Sequence, residues 1–395
     1  QGATLTIWAD DTRAPVIQGF AEQVEADLGI TLDVVQLGLG DIRDQLLVAG
    51  PVGEGPDIII SPHDVVGQLV ANGAIVPIEL GSKAEDFQQS TLDLFTYQET
   101  LYGVPYAIEN IALIRNTDLV PEAPQTWEEI LSLSEQFQAE DTAEYAFVLK
   151  TNDFYHTYPV ITAFGGYVFG IDEGVYNPAD IGLANDGAFA SAEWLSDMWT
   201  NGYMPTDVSN DVMFQLWEDG DAGMFVTGPW FSQRITDAAA DGGFNYSIDA
   251  LPGSEMGMDT GSPFAGGQGF LISAFSENQL LAEIFLLDYV ATDEFMQALF
   301  NNHPRPPAFL SVDTSSDQNL SAFVAAGNSA IPQPAIPEMN AVWAAANNAL
   351  VLTSQGEDPI ASFQTAVAQI NEAIDLQSSD ARIVSLPGSL NDEMG

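Results

Sequence analysis

Cysteine is absent from the 395 residues, which excludes thiol nucleophiles, thiolate zinc sites and disulfides. Histidine is scarce: His63, His156 and His303 are far apart and form no HExxH motif. We expect them to be hydrogen-bonding or loop histidines rather than metal ligands. The two lysines, Lys83 and Lys150, lie outside any GxxxxGKS/T sequence, so a phosphate-binding P-loop is excluded. The sequence predicts no metal site and no cofactor.

Basic residues are also few. The chain has 57 acids and 8 bases, a formal net charge of −49. Such a surface repels nucleic acid and anionic membranes, so we expect neither as a partner. The carboxylates also repel one another in the folded protein, and either screening by salt or protonation at low pH has to relieve that repulsion. Both conditions suit a protein that faces an outside medium, and the depletion of lysine leads us to hypothesise a salt-rich one.

No hydrophobic run is long enough to span a bilayer. The longest uncharged apolar stretch, residues 158–171, contains Pro159, Gly165, Gly166 and Gly170 and falls short of the roughly 20 residues that a membrane helix needs. The overall hydrophobic content of 46% predicts a folded globular protein, and the length predicts two or three compact units. No basic segment followed by an apolar one precedes Leu5, so we expect a secretory signal to be absent or already removed.

An acid and several aromatic residues occur together in residues 152–170. Asp153 stands beside Phe154 and Tyr155, and Tyr158 follows one turn later. Aromatic rings cover the apolar C–H face of a sugar, while a carboxylate accepts hydrogen bonds from two hydroxyl groups. This segment therefore predicts a site for a neutral, polyhydroxylated ligand. The alternative is an ordinary half-buried surface.

The first 80 residues alternate between strand and helix patterns. Residues 5–8, 30–35 and 57–60 read as strands, and the last is continuously apolar, as in a strand buried on both faces. Between them lie two helical segments, the first of which ends at Gly29. This βαβαβ order predicts an α/β fold with a mainly parallel sheet and right-handed crossovers.

Two polar clusters follow strands of this sheet, where ligands of open α/β sheets bind. Residues 10–13 carry Asp10, Asp11 and Arg13, and residues 61–64 carry Ser61 and Asp64. The alternative is that these polar side chains, including Ser61, only cap the helices that follow the strands. Because both clusters fall on one edge of the sheet, we favour a ligand site.

A second α/β unit follows. Residues 126–129 form a capping box at a helix start, and residues 145–150 and 222–226 read as strands. The turn at 227–230 would raise Trp230 to the sheet edge. We expect Trp194, Trp199 and Trp217, at helical spacing among apolar neighbours, to lie in the core.

Three further segments have a local interpretation. The glycine run at 266–269 lacks the spacing of a dinucleotide loop and predicts a close backbone approach or a bend. Residues 303–309 and 331–337 are rich in proline and read as surface connections. Near the C-terminal end, Trp343 and Asn347 lie one turn apart on one helix face.

Taken in order, these motifs resemble the maltose- and maltodextrin-binding proteins of bacterial ABC importers, in the family-one solute-binding group. The similarity covers nearly the whole chain. It rests on the segments LTIWADDTR at 5–13, GEGPDIIISPHD at 53–64, YGVPYAIEN at 102–110, TWEEI at 126–130, NDFYHTYPVITAFGGY at 152–167, GPW at 228–230 and IPEMNAVW at 336–343.

The resemblance implies a two-lobed periplasmic-binding-protein-like fold of type II, with a sugar in the cleft between lobes joined by hinge crossings. It places lobe one at 1–109 and 265–312, and lobe two at 110–264 and 313–395. The implied site residues of lobe one are Asp10, Asp11, Arg13, Ser61, Asp64 and Glu109. Those of lobe two are Asp153, Phe154, Tyr155, Trp230, Trp343 and Asn347. No catalytic residue is implied.

Some positions depart from the best-known maltose pattern. Ser61 replaces a tryptophan, and Ala344 replaces an aromatic residue. Val65 and Asn347 replace arginines, and Phe154 replaces a proline. Asp153 is one methylene shorter than the usual glutamate. Fewer rings and guanidinium groups leave open a longer or differently linked glucan, or a disaccharide such as trehalose.

The resemblance further implies a small-molecule carbohydrate ligand, membrane permease subunits as partners, and a monomer. We expect an extracellular or periplasmic location, with a lipoprotein anchor on the full-length form left open. A glycoside hydrolase is the main alternative, since acids and aromatic residues also build its sites, but no sequence feature fixes the required pair of carboxyl groups. We disfavour an adhesive surface protein, because repeats are lacking. A binding protein for amino acids or oligopeptides is disfavoured because only Arg13 is near the rim.

Overall fold

Two large β-sheets organise the chain in this computed structural model, which describes residues 2–172, 175–315 and 317–384. The strands are β1 Thr4–Ala9, β2 Thr31–Gln36, β3 Ile58–Pro62, β4 Ile75–Val76, β5 Thr96–Tyr97, β6 Thr100–Leu101, β7 Gly103–Glu109, β8 Ala112–Asn116, β9 Tyr145–Val148, β10 Phe169–Asp172, β11 Val175–Ile181, β12 Ala222–Thr227, β13 Tyr246–Asp249, β14 Phe264–Ser273 and β15 Ile331–Pro332. The strand pairs β5–β6 and β10–β11 form two further small sheets among these residues.

The helices cover both sheets. They are α1 Ala14–Gly19, α2 Ala21–Leu28, α3 Leu39–Ala49, α4 Val66–Ala71, α5 Gln89–Leu94, α6 Trp127–Glu140, α7 Phe154–Ala163, α8 Asp186–Thr200, α9 Asn210–Glu218, α10 Ser232–Gly242, α11 Gln279–Phe285, α12 Asp293–Asn302, α13 Leu320–Ala326, α14 Asn340–Ser354 and α15 Pro359–Val384. Within the described residues, no helix is both long enough and apolar enough to cross a membrane.

The first sheet contains the predicted parallel unit. β1 lies between β2 and β3 and is parallel to both. The three isoleucines of β3, at 58, 59 and 60, are fully buried, which confirms a strand covered on both faces. Gly29 ends α2 in the left-handed conformation, with φ of 67°, as its position predicts. β14 then adds to β3, β4 and β7 in antiparallel pairings.

The second sheet has the strand order β13-β8-β12-β9. α6 begins after Thr126, whose Oγ1 accepts a hydrogen bond from the Glu129 amide at 3.2 Å, so this cap is confirmed. Trp194, Trp199 and Trp217 are at most 5% exposed, and their assignment to the core is confirmed. Buried side chains cover both faces of each sheet, in two clusters at the second sheet and two at the first, and Phe264 of β14 packs into a cluster of the second sheet.

The chain passes between the sheets more than once. β7 of the first sheet leads through 110–111 into β8 of the second, and the chain returns from β13 to β14. β15 pairs with β14, although the predicted boundaries put 331–332 in lobe two. Those boundaries stay a prediction, and their ends at residues 1 and 395 lie outside the described residues.

Two local predictions were wrong. Ser61 caps no helix, because it lies within β3, which continues to Pro62 before the turn at 63–65 begins. Residues 303–309 are not a surface connection. The backbone amides of Ile108 and Ala308 hydrogen-bond to Pro306 and Tyr106, respectively, so the segment lies along β7, with Phe309 buried. Proline carbonyl groups still accept hydrogen bonds, which allows this pairing.

Candidate functional site: aromatic and acidic side chains from both lobes

In the segment that follows β1, residues 10–13, the side chain of Asp10 is hydrogen-bonded by the next residues of the chain. Oδ1 of Asp10 accepts hydrogen bonds from the amide and Oγ1 of Thr12, at 2.8 and 2.7 Å, and from Arg13 Nη1 at 3.0 Å. A short carboxylate readily bonds the backbone two residues ahead. Burial opposes ionisation, but Arg13 and Thr12 outweigh it and lower the pKa of Asp10. Asp10 is therefore a carboxylate at neutral pH, while Asp11 is exposed to solvent.

The same cluster keeps unused hydrogen-bonding capacity. Arg13 Nε donates to the hydroxyl group of Tyr106 on β7. Oδ2 of Asp10 and Nη2 of Arg13 are buried and have no hydrogen-bond partner among the described residues. Because a buried polar atom without a hydrogen bond is costly, these two atoms are the ones that a ligand or water would satisfy. One acceptor and one donor are thus available at this strand end.

Glu109 ends β7 and forms a buried ion pair with Arg305 Nη1. The two side chains are 7% and 9% exposed. Burial and the neighbouring charge of Arg13 lower the pKa of Arg305 to about 10, so it still carries its charge at neutral pH. Sequence reasoning did not select Arg305. The available signal was a base within the proline-rich segment 303–309 of a chain that has only 8 bases.

The cluster after β3 combines an unpaired hydroxyl group with an engaged histidine. Ser61 is fully buried, and its Oγ has no hydrogen-bond partner among the residues described. His63 Nδ1 accepts from the Gly267 amide at 3.0 Å, and Nε2 lies 3.1 Å from the Gln333 carbonyl oxygen, so His63 is the hydrogen-bonding histidine predicted. Burial raises the pKa of the neighbouring Asp64, despite the opposing effect of His63.

In the second lobe, Asp153 is the N-cap of α7. Its Oδ1 accepts from the His156 amide at 3.1 Å, and Oδ2 lies 2.7 Å from Lys150 Nζ and 2.9 Å from His156 Nδ1. Burial opposes ionisation, but His156 and Lys150 together lower the pKa of Asp153. The acid of the aromatic segment is therefore ionised, and it also stabilises the start of the helix that carries Tyr155.

The predicted aromatic residues divide into buried and accessible rings. Phe154 is 1% exposed and contacts Trp343 edge-on, with ring centroids 6.0 Å apart. Its amide donates to Asn347 Oδ1 at 2.7 Å, which joins α7 to α14. Trp343 and Tyr155 are half-buried, as is Trp230 in the turn after β12. Phe154 thus packs against Trp343 while Asn347 ties the two helices together, and both interactions are within the protein.

Tyr155 lies among other aromatic rings, one of them at the start of β14 in the first sheet. Its ring lies 6.3 Å from that of Trp230 and 6.1 Å from that of Phe264. Burial raises the pKa of Tyr155, and the nearby carboxylates of Asp64 and Asp153 add to the effect. Asp64 follows β3 of the first sheet and Asp153 caps α7, so acids from two distant segments of the chain act on one ring. The tertiary structure gathers aromatic and acidic groups that the sequence separates.

The described part of the chain contains no group of three acids or histidines arranged to hold a metal ion. Its carboxylates instead face rings, hydroxyl groups and arginines, an arrangement suited to an uncharged polar ligand. Together with two α/β sheets linked by several chain crossings, this arrangement defines the class: a two-lobed solute-binding protein of the periplasmic-binding-protein type.

The chain belongs to the bacterial extracellular solute-binding protein family, whose sequence model matches residues 19–328. It is 28% identical to the maltodextrin-binding protein MdxE of Bacillus subtilis over 94% of this chain and 88% of that protein. It is also 28% identical to a galactooligosaccharide-binding protein of the same organism, over 91% and 86%. A maltooligosaccharide ABC transporter solute-binding lipoprotein of Streptococcus pneumoniae is 28% identical over 94% and 88%.

A solved structure agrees with these relatives. The crystal structure of a cyclo/maltodextrin-binding protein complexed with maltotetraose superposes with a TM-score of 0.79 at 27% identity. The match covers 95% of this chain and 98% of that one. The predicted α/β two-lobed fold and the predicted family are therefore confirmed.

Proposed function

We propose that this protein is the extracellular carbohydrate-binding component of an ABC sugar importer and captures maltooligosaccharide-type α-glucans. Relatives similar over nearly the whole chain are named for maltodextrin and maltooligosaccharide binding, and the similar solved structure contains maltotetraose. In the proposal, the loaded protein delivers the sugar to the permease subunits in the membrane. The match to the extracellular family supports a location outside the cell.

The observation that carries the proposal is the position of Tyr155, beside the Trp230 ring and near carboxylates of both lobes. Sugars present apolar C–H faces to rings and hydroxyl groups to carboxylates. The proposed contacts of lobe one are Asp10, Asp11, Arg13, Ser61, Asp64 and Glu109. Those of lobe two are Asp153, Tyr155, Trp230 and Trp343, with Phe154 and Asn347 supporting them.

The proposed mechanism is capture by hinge closure. A sugar bound to one lobe shifts the balance toward the closed form only if it binds that form better. Contacts from both lobes supply this difference, as in other proteins that close around a ligand. No catalytic step is proposed. A chromatogram of maltooligosaccharides incubated with the protein is expected to show no shortened products.

A second candidate ligand is a galactooligosaccharide. The relative named for that sugar is as similar to this chain as the one named for maltodextrin. Calorimetric titration of the wild-type protein with maltotetraose, trehalose and a galactooligosaccharide separates these ligands. We expect maltotetraose to bind most tightly. If the galactooligosaccharide binds more tightly, it replaces the α-glucan as the proposed ligand. If no sugar gives a binding signal in the titration, the proposed function is wrong.

Trp230→Ala tests the proposed stacking contact. Loss of a ring that covers a sugar face is expected to weaken maltotetraose binding by about 1–3 kcal/mol in calorimetric titration. Tyr167→Ala is the matched control. It removes another half-buried ring of the second lobe, one that hydrogen-bonds Asp180 instead, and should leave the affinity unchanged. An unchanged affinity for Trp230→Ala removes this tryptophan from the site.

A further inference from the structure

A cavity of about 510 Å³ opens beside Trp230. One wall is the end of α12 with residues 301–304, and the other is formed by the start of α10, Tyr246 and residues 317–319. Its volume falls within the range of small-molecule sites, roughly 300–1,000 Å³. We name this cavity the Trp230 groove. Both lobes contribute to it, yet none of its lining residues except Trp230 was predicted to touch a ligand.

The lining of the groove is polar and nearly uncharged. Its described residues include no lysine or arginine, and Asp317 is the one acid among them. The other polar groups are amides and hydroxyl groups, with Trp230 and Tyr246 as rings. Burial and the charge of Arg13 lower the pKa of His303, so this ring is neutral at pH 7. Amides, hydroxyl groups and neutral rings beside a single acid match a carbohydrate rather than an ion.

The groove adjoins the predicted sugar contacts on both sides. On lobe one, Asn302 Nδ2 donates to the carbonyl oxygen of Thr12, and His303 also lines a smaller cavity beside Arg13. On lobe two, Trp230 lies 6.3 Å from Tyr155, measured between ring centroids. A ligand that reaches Trp230 from the Tyr155 cluster would therefore meet the groove next.

Part of the groove wall is fixed by internal hydrogen bonds. Asn319 Nδ2 donates to Ser232 Oγ and to Thr236 Oγ1, each at 3.1 Å, and Tyr246 donates to Asn319 Oδ1 at 2.8 Å. The side chain of Gln233 is exposed, and among the described residues it donates to Asp237 on its own helix, at 2.8 Å, which leaves its Oε1 as an acceptor. Gln318, also exposed, adds a second amide at the rim.

We propose that the Trp230 groove binds the part of an oligosaccharide that continues past Trp230, so the protein selects longer sugars. This inference rests on the proposed function and deepens it. The inner rings and acids bind the first sugar units, and the groove adds hydrogen bonds to the units beyond them. Affinity then rises with chain length because of side chains outside the inner site.

The test is calorimetric titration with maltose, maltotriose, maltotetraose and maltohexaose. We expect the wild-type affinity to increase with length. Gln233→Ala/Gln318→Ala should weaken maltohexaose binding by about fivefold to 25-fold, since each lost hydrogen bond corresponds to a factor of about five. Maltose binding should stay unchanged, because the variant leaves the inner site intact.

Gln215→Ala is the control. Gln215 makes the same kind of bond to Asp219 four residues later, at 2.9 Å, on the exposed side of α9. This variant should change the affinity for neither maltose nor maltohexaose. The inference is overturned if the double variant weakens the binding of maltose and of maltohexaose equally, or weakens the binding of neither sugar. Wild-type binding of maltose without any gain from length also overturns it but leaves the proposed function standing. If the wild-type protein binds none of the four sugars, the proposed function itself is wrong.

Discussion

At the residue scale, the scarce bases are placed where a buried acid needs them. Arg13, Arg115 and Arg305 are all less than 10% exposed, although the chain has only 8 bases for 57 acids. Arg115 pairs with Asp249 at 2.9 Å, as Arg13 does with Asp10 at 3.0 Å. In the protein interior an unpaired charge is far more costly than at the surface. These three arginines therefore fix the geometry of the interior rather than balance the surface charge.

Glu109→Gln tests this placement. It leaves the buried Arg305 guanidinium without its counter-charge, and loss of one partner of a buried pair typically costs about 3–5 kcal/mol. We expect the free energy of unfolding in urea to fall by that amount. Glu109→Gln/Arg305→Met should recover part of the loss, because an apolar side chain needs no partner.

The control is the exposed pair of Arg234 and Asp211, whose side chains are 36% and 89% exposed. Asp211→Asn should change the free energy of unfolding by less than about 1 kcal/mol, the usual value of a surface ion pair. Equal effects of Glu109→Gln and Asp211→Asn would contradict a special role for the buried pair.

The sequence predicted one half of the buried pair. Glu109 was selected from its segment, whereas Arg305 was not, because the two are 196 positions apart and no local pattern joins them. Asp153 and Tyr155 were predicted together, since they share one helix start. Asp153 proved to be a helix cap as well, and that role depends on the φ and ψ angles at the end of the preceding loop.

At the element scale, the glycines of β14 allow close packing against the end of α5 and the Phe95 ring that follows it. A Cβ atom built on Gly269 would lie 2.7 Å from Cζ of Phe95, and one on Gly267 would lie 3.0 Å from the same ring. Neither glycine has a positive φ, so space rather than backbone conformation requires them. The predicted close backbone approach is confirmed, and the strand also contains a bulge between Gln268 and Gly269.

Gly269→Ala and Gly266→Ala form a matched pair within this strand. The first forces the new methyl group against Phe95 and is expected to lower the free energy of unfolding by about 1–3 kcal/mol. At Gly266 the nearest atom to a new Cβ is 3.9 Å away, so alanine should be neutral or stabilising by up to about 1 kcal/mol. Urea unfolding measures both. Equal destabilisation would show that backbone freedom, not space, sets the requirement.

Element boundaries also show where local patterns are sufficient. Thr126 was correctly predicted as a cap because a capping box is a local signal. Ser61 was not, since the same residue type also fits the end of a strand, and pairing with β14 at Gly269 extends β3 past it. The hydrogen bonds of a distant strand decided between the two.

At the scale of the whole molecule, the formal charge of −49 determines how stability responds to solution conditions. We expect the unfolding midpoint at neutral pH to rise between 0.05 and 1 M NaCl, because screening shortens the Debye length to about 3 Å. Each kcal/mol of relieved repulsion corresponds to about 2–4 °C for a unit of roughly 200 residues. Differential scanning calorimetry measures this shift.

KCl is the control for that series, because screening depends on ionic strength rather than on the cation. It should reproduce the effect of NaCl. If salt leaves the midpoint unmoved while mild acid raises it, protonation relieves the repulsion, and the hypothesis of a salt-rich environment is wrong.

The sequence by itself determined what short-range pattern and composition control: the α/β alternation, the family, the acidic surface and the shared helix start of Asp153 and Tyr155. Only the tertiary structure decided which of these groups meet. The order of strands in each sheet and the chain crossings between sheets bring Arg305 to Glu109 and Asp64 close to Tyr155. They also bring residues 301–304 to the Trp230 groove. Such contacts join positions that are distant in sequence, and their geometry depends on how the buried clusters of the two sheets pack and connect, which no local pattern encodes.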